Sequence, residues 1–163
     1  MKLNLGCGDR RIDGYVGVDI APPADQIVDL AGPWPWPDSS IDEVLAYSVF
    51  EHLPHKLNTM NELWRVLRPG GIARLQLPLA SEGDGGFCDP THRSYWTRSD
   101  FEYYHPGFPE RERFRNSYGV NADFRIISLD GKGHIGTKRY ERRLGGYVIE
   151  IEPILECVKN AGI

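Results

Sequence analysis

Short apolar runs and one longer stretch of helical period organise this chain. Leu3-Asn4-Leu5 stops at Gly6, which predicts a short strand cut off by a glycine turn. Tyr15 to Ile20 alternates, with Val16, Val18 and Ile20 on one face and Tyr15, Gly17 and Asp19 on the other. That is the period of a strand with one buried face. Gln26 to Leu30 predicts a third strand, ended by AGPWPWPDSS, whose three prolines exclude regular structure. Glu43 to Ser48 is nearly continuously apolar, as a central parallel strand should be. In HKLNTMNELWRVLRPGG, Leu57, Met60, Leu63, Trp64 and Leu67 follow the 3.6 period. A helix from about Pro54 to Arg68 is predicted, with Pro54 suited to its first turn and Pro69-Gly70-Gly71 as its stop. Arg65 and Arg68 complement its C-terminus.

Ile72 to Leu77 predicts a fifth strand. Residues 79–123 read as loop, aromatic and rich in Gly, Pro and charge. Phe124 to Leu129 and Tyr147 to Leu155 predict two late strands, with the basic, turn-rich DGKGHIGTKRYERRLGG between them. There is no internal repeat. The early strands therefore lack the long helices that a regular βαβ series needs. In the first and fifth strands, as in the second, apolar and polar positions alternate. One sheet face is expected to lack a full helical layer. Its cover is then either the segment around residues 124–158 or a second copy of the chain.

Length and composition narrow the class. With 163 residues the chain suffices for one domain, 40% apolar, with a formal net charge of −4. That charge argues against general nucleic-acid binding. Met1 is followed at once by a strand-like run, without a charged-then-apolar leader. No apolar stretch is long enough to span a bilayer, so no membrane partner and a cytoplasmic location are expected. Cys7, Cys88 and Cys157 are odd in number and widely spaced, against a disulfide framework. No Cys or His group has zinc spacing, so no metal is expected. The domain divides into 1–78 (a cofactor-binding core), 79–123 (an acceptor-side insertion) and 124–163 (late strands).

The glycine turn carries the chemistry. Gly6-Cys7-Gly8 lets backbone approach a ligand closely, and Asp19, ending the second strand, suits a ribose diol. A dinucleotide fingerprint needs a third glycine and a helix N-terminus for pyrophosphate. Arg11 stands at that position, no helix pattern follows, and the Gly6–Asp19 gap is short. A ligand with a ribose but no pyrophosphate fits better. The plain alternative is a tight turn beside a surface acid.

Taken in order, LNLGCG, GYVGVDI, VDLAGPWPWPDSSIDEVLAYSVFEHL and LWRVLRPGGIARLQLP resemble the class I S-adenosylmethionine-dependent methyltransferases. The resemblance runs from Leu3 to about Pro78, and DPTHRSYW is similar to a segment of small type-11-like members. It implies an α/β, Rossmann-like, mostly parallel sheet, here reduced because Asp9 to Gly14 leaves no room for the usual first helix. It also implies S-adenosyl-L-methionine as cofactor and S-adenosyl-L-homocysteine as product. Gly6, Cys7 and Gly8 would line the methionine moiety and sugar. Asp19 would hold the ribose hydroxyls, and Ile20 would pack on the adenine. Asp29 and the Leu30 backbone would stand near the adenine amino group, and Ser48 by the methionine part. Asp29 reads equally well as a turn-forming acid before Ala31-Gly32.

Methyl transfer from a sulfonium needs alignment above all, worth about 7–11 kcal/mol, and a base only if the acceptor loses a proton. His52, next to Glu51, and His92, in DPTH, are the candidate catalytic residues. His52 also reads as a helix-start residue and His92 as a turn brace. Asp89, Tyr95 and Trp96 are the candidate acceptor residues, among aromatics between 87 and 118 that could instead cap a small core. Arg111, Arg113 and Arg115, alternating with Glu110 and Glu112, read as a solvated face. The expected function is methyl transfer to an oxygen or nitrogen of a small molecule or glycan. The alternatives are a cofactor-binding protein without catalysis and a nucleotide-binding oxidoreductase, which the missing third glycine opposes.

Overall fold

The computed structural model describes residues 1–83, 85–135 and 147–159. Its strands are β1 (Lys2–Leu5), β2 (Val16–Asp19), β3 (Gln26–Ile27), β4 (Ile41–Tyr47), β5 (Leu67–Gly83), β6 (Phe124–Ile135) and β7 (Tyr147–Cys157). Its helices are α1 (Lys56–Val66), α2 (Arg98–Glu102) and α3 (Pro109–Tyr118), with a single 3₁₀ turn at Phe50–His52. The strands form one sheet in the order β3-β2-β1-β4-β5-β7-β6. The first five are parallel, and β7 runs antiparallel to both β5 and β6. This is the α/β, Rossmann-like, mostly parallel architecture that the sequence predicts.

Register explains the core. Val16, Leu3, Val44, Ala73 and Leu155 stand side by side across five strands, as do Val18, Leu5, Ala46 and Leu75. They share a core with Met60, Leu63 and Val66 of α1. The three helices gather together on this side. The Asn61 amide of α1 donates to the Gly119 carbonyl, its oxygen accepts the Asn121 and Ala122 amides, and Lys56 pairs with Asp100 of α2.

The opposite face carries Lys2, Glu43 and Arg74, linked by ion pairs, and both cations are exposed. No helix stands between β1 and β2. The loop there is pinned by side chains instead. Asn4 donates to the Arg10 carbonyl, and Arg11 pairs with Asp25 while reaching the Pro23 carbonyl. Asp25 in turn accepts the Gly17 amide at 2.8 Å. The residue standing where a third glycine would be is thus the latch that replaces the helix.

Several expectations are corrected. The described parts of the segment around 124–158, residues 124–135 and 147–158, do not fold over a face. β6 and β7 extend the sheet in its own plane, because β7 finds its hydrogen bonds along the edge of β5. Residues 79–123 are not all loop. A capping box of Thr97 and Asp100 starts α2, and Pro109 in the first turn with Gly119 in a left-handed C-cap bounds α3. Arg111 is fully buried rather than solvated, ion-paired to Asp123 and Glu112. The helix expected from Pro54 spans only Lys56–Val66, since His55 is its N-cap and has non-helical backbone angles. The third strand is confined to Gln26–Ile27, whereas β5 and β6 outrun the expected bounds. Most of the basic stretch after Ile135 lies outside the described residues. No helix among the described residues is long and apolar enough to cross a membrane.

Candidate functional site

Parallel strands point their carboxyl ends one way, and ligands of such sheets bind outside those ends. Here a cavity of about 450 Å³ opens there, lined by Gly6 after β1, Asp19 and Ile20 of β2, Val28 to Ala31 after β3, and Ser48 and Val49 after β4. Its far wall is Leu53 and Pro54, with His52 and Arg93. A second cavity of about 310 Å³ adjoins it, sharing Gly6 and Ser48 and reaching Cys7, Gly8, Tyr47 and Gln76.

The glycines are needed for two different reasons. At Gly6, φ is +61°, and an added Cβ would meet the Val49 side chain at 2.3 Å. Gly8 has open space but a φ of +54°, a left-handed conformation that glycine adopts without strain. Ser48 also sits left-handed, at φ 56°. Its amide donates to the Gln76 carbonyl at 2.8 Å, and this kink turns the chain along the cavity. Strain in a non-glycine residue at a ligand cavity marks a position the surrounding structure holds.

Asp19 organises the turn as well as facing the cavity. One carboxylate oxygen accepts the Gly8 amide at 2.8 Å and the other the Ile20 amide at 2.7 Å. An ionised carboxylate has about four acceptor positions, so lone pairs remain for a ligand. Asp29 accepts the Ala31 amide with one oxygen at 2.9 Å, the turn role that its sequence context suggested, while also lining the cavity. Leu30 and Ile20 line it too, Ile20 strongly exposed. Cys7 packs inward. Burial, and after it the Asp19 carboxylate, pushes its thiol up, which leaves it a packing group rather than a nucleophile.

The cavity's edge is built by two distant segments. The Glu51 carbonyl accepts the amides of both Arg93 (2.7 Å) and Ser94 (3.0 Å), and the Ser94 hydroxyl donates to the Phe50 carbonyl. This clamp sets the His52 and His92 rings 5.0 Å apart, edge to face. The Thr91 hydroxyl donates to Asp89 at 2.6 Å, so its oxygen, 3.2 Å from His52 Nδ1, acts there as an acceptor. The Thr91 carbonyl lies 3.3 Å from the same nitrogen. His92 Nδ1 is 2.9 Å from the Gly86 carbonyl. Carbonyls accept only, so this pattern puts the proton on Nδ1 of both rings and the lone pair on Nε2. The hydroxyl and then the amide of Thr91 hold the Asp89 carboxyl below the usual carboxylate range.

The candidate acceptor residues divide. Tyr95 is exposed and stacks on exposed Phe87, with ring centroids 4.6 Å apart. Asp89 stands beside His92, 4.0 Å from Nε2. Trp96 is only 1% exposed. It packs on Phe50 and Phe101 and donates to the Ser94 hydroxyl, so it belongs to the core and braces the clamp from below. Arg93, Val49 and buried Glu51 are at the site without having been singled out. Nothing in their spacing marks Arg93 or Val49, and only its place before His52 marks Glu51.

Comparison with known proteins agrees with this geometry. A family model described as a methyltransferase domain matches residues 3–75. A protein named as an uncharacterized methyltransferase, from Mycobacterium sp. strain KMS, is 40% identical over 134 residues, covering 75% of this chain and 52% of that protein. The chain spans about half the length, or less, of the curated relatives it matches. Among solved structures, a protein of Bacillus halodurans C-125 superposes with a TM-score of 0.65 at 14% identity, over 97% of this chain and 92% of that one. A SAM-dependent methyltransferase from Methanosarcina mazei superposes at 0.55 with 17% identity, over 98% and 92%. At these identities the structural likeness speaks for the fold.

Proposed function

We infer that the chain, whose residues 3–75 match a methyltransferase-domain model and whose fold is shared with solved methyltransferases, is a class I S-adenosylmethionine-dependent methyltransferase. From that premise we propose that it transfers a methyl group to an oxygen or nitrogen of a small molecule or glycan. The observation that carries the reading is the convergence of Gly6, Asp19, Asp29 and Ser48 on one cavity at the carboxyl ends of the parallel strands.

The residues present fit the cofactor. A cavity of about 450 Å³ is of the size that holds a small organic ligand. Val28, Leu30, Val49 and Leu53 give it apolar walls, and two carboxylates stand among them. A Cβ at Gly6 would close the turn against Val49. Asp19 would hold the ribose hydroxyls with its remaining lone pairs, and Asp29 and Leu30 the adenine edge with Ile20 against its plane. The backbone of Gly6 to Gly8 and Ser48 would border the methionine part. When bound, S-adenosylmethionine supplies an already activated methyl group, so the chain's own task is orientation.

His52 lines the cavity directly, and its Nε2 lone pair is the atom that would take a proton from an acceptor hydroxyl. His92 stands beside it. The flat, exposed pair of Phe87 and Tyr95 offers a stacking surface to a sugar or aromatic ring. The net charge of −4 favours such acceptors over a polyanion.

Calorimetry with S-adenosylhomocysteine tests the reading. Asp19→Ala removes the ribose acceptor and also the bond that fixes Gly8. Affinity should fall by about 1.5–3 kcal/mol, the worth of hydrogen bonds to a charged group. An unchanged affinity removes Asp19 from the site. Preference for a nicotinamide dinucleotide over the nucleoside would overturn the reading.

A further inference from the structure

The two histidines form a group with a third residue. One ligand atom each of Glu51, His52 and His92 lies within 4.8 Å of the others. Two imidazoles and one carboxylate are a donor set suited to divalent transition metals, and such sites leave coordination positions open for water or substrate. We propose that Glu51, His52 and His92 bind a divalent transition-metal ion of the zinc class at the edge of the cavity, its open positions turned toward the acceptor.

Three features of the site bear on this beyond proximity. First, Nδ1 of each ring is engaged by oxygen acceptors, the Gly86 carbonyl for His92 and Thr91 for His52, which leaves the Nε2 lone pairs for a metal. A ring N–H given to a backbone carbonyl is the arrangement that fixes the tautomer and orientation of metal-binding histidines. Second, the group is held rigidly. The Glu51 carbonyl carries two amides of the second segment, and His92 has only 7% of its side chain exposed. Third, Asp89 adds a further carboxylate 4.0 Å from His92 Nε2, itself anchored by Thr91. It is placed to accept from a metal-bound water. Zinc–nitrogen bonds of about 2.0–2.1 Å put the ligand atoms of a tetrahedral ion roughly 3.3 Å apart. The three side chains therefore draw inward on binding.

His52 belongs at once to this group and to the cavity wall. An ion there meets whatever enters beside the cofactor. It would fix an acceptor oxygen and make its hydroxyl more acidic, as bound metals do for water. The ion then replaces the free Nε2 lone pair by making the hydroxyl acidic, and the released proton goes to the Asp89 carboxylate or to water. That role rests on the methyltransferase reading, but metal binding itself does not.

The test uses the full chain, stripped with a chelator and dialysed against Zn²⁺ alone, with Co²⁺ as a spectroscopic probe. The expected result is one Zn²⁺ per chain and a visible Co²⁺ absorption of low-coordinate intensity. His52→Ala and Glu51→Gln should weaken Zn²⁺ binding at least tenfold. His55→Ala, an exposed neighbour outside the group, should leave it unchanged. His92→Ala is informative if it folds, and because His52 is less enclosed, His52→Ala and His52→Gln decide the matter otherwise. No stoichiometric binding by the wild-type chain, or binding indifferent to the His52 variants, overturns the proposal. Calorimetry with S-adenosylhomocysteine on the metal-free chain separates the two readings. Nucleoside binding without metal binding sinks only the metal site, and the reverse sinks only the methyltransferase reading.

Discussion

The two faces of the sheet are built from the same strands and held in opposite ways. On one, Leu3, Val44 and Ala73 stand in register with no exposure at all, under α1 and its neighbours. One residue along each strand, the other face presents Lys2, Glu43 and Arg74, which neutralise one another, the two cations in water and Glu43 half-sheltered between them. The first face is stabilised by apolar area removed from water, about 25 cal/mol per Å². The second gains little per ion pair, because water competes for exposed charges. A doubly wound sheet normally has helices on both sides. Among the described residues the helices gather on the first face, and the alternation of β1, β2 and β5 in polarity suits a second face without such a layer. Stability and site geometry should therefore be concentrated on the helix-covered side, and substitutions can be ranked by face.

Leu75→Ala should have the largest effect. Leu75 lies in β5, beside Ala46 of β4, and is 2% exposed. Truncating a buried leucine costs about 2–5 kcal/mol through lost transfer energy and the cavity left behind. Urea unfolding measures it. A loss no greater than that of a charge substitution on the opposite face would abolish the ranking.

Arg65→Ala probes the same side where no helix covers it. Proline excluded regular structure from PWPWPDSS, and that reading holds, yet Trp34 and Trp36 are almost fully buried. Arg65 donates to both tryptophan carbonyls at 2.9 Å, to Glu62 twice at 2.7 Å, and to Asp38. The indole N–H groups are bonded to the Leu30 carbonyl and the Gln26 side chain. The loop is thus a packed layer fastened to α1. Losing the guanidinium should cost about 1.5–3 kcal/mol, the range for hydrogen bonds to charged groups. A smaller loss would show that the tryptophans hold the loop unaided.

The same residues show which features a sequence displays. β1 and β2 were legible because apolar and polar residues alternate along them, β4 because it is a nearly continuous apolar run, and α1 because its apolar residues follow the 3.6 period. The glycine turn and Asp19 were legible because backbone conformation and chain position mark them. α3 was not, because its one buried residue is the charged Arg111, and an apolar period is absent. Its caps, Pro109 and Gly119, are the marks that the sequence carries of it. The burial of Trp34 and Trp36 depends on an arginine in another element. The meeting of His52 with His92 depends on one carbonyl, that of Glu51, receiving two amides from a distant segment. Such pairings carry no period, and only the fold reveals them.

Glu43→Gln should have the smallest effect and tests the second face directly. Burial pushes the Glu43 carboxyl up, but hydrogen bonds from Lys2, Arg74 and Tyr15 outweigh it, and the net position lies below the usual glutamate value. A carboxyl lowered in the folded state stabilises at any pH above its unfolded value, about 4.3. That contribution fades as pH falls through the folded value. At neutral pH the substitution should therefore cost less than about 1 kcal/mol, as exposed ion pairs do. Wild type and variant should converge as the pH drops below the folded carboxyl's value. High salt should shrink the difference further, since about 1 M salt screens charges beyond roughly 3 Å. Unfolding curves at neutral and acid pH, with and without salt, read all three. A cost of several kcal/mol, insensitive to salt, would mean that Lys2, Glu43 and Arg74 form a buried polar layer. The second face would then be covered, and a second copy of the chain would be the first cover to look for by light scattering.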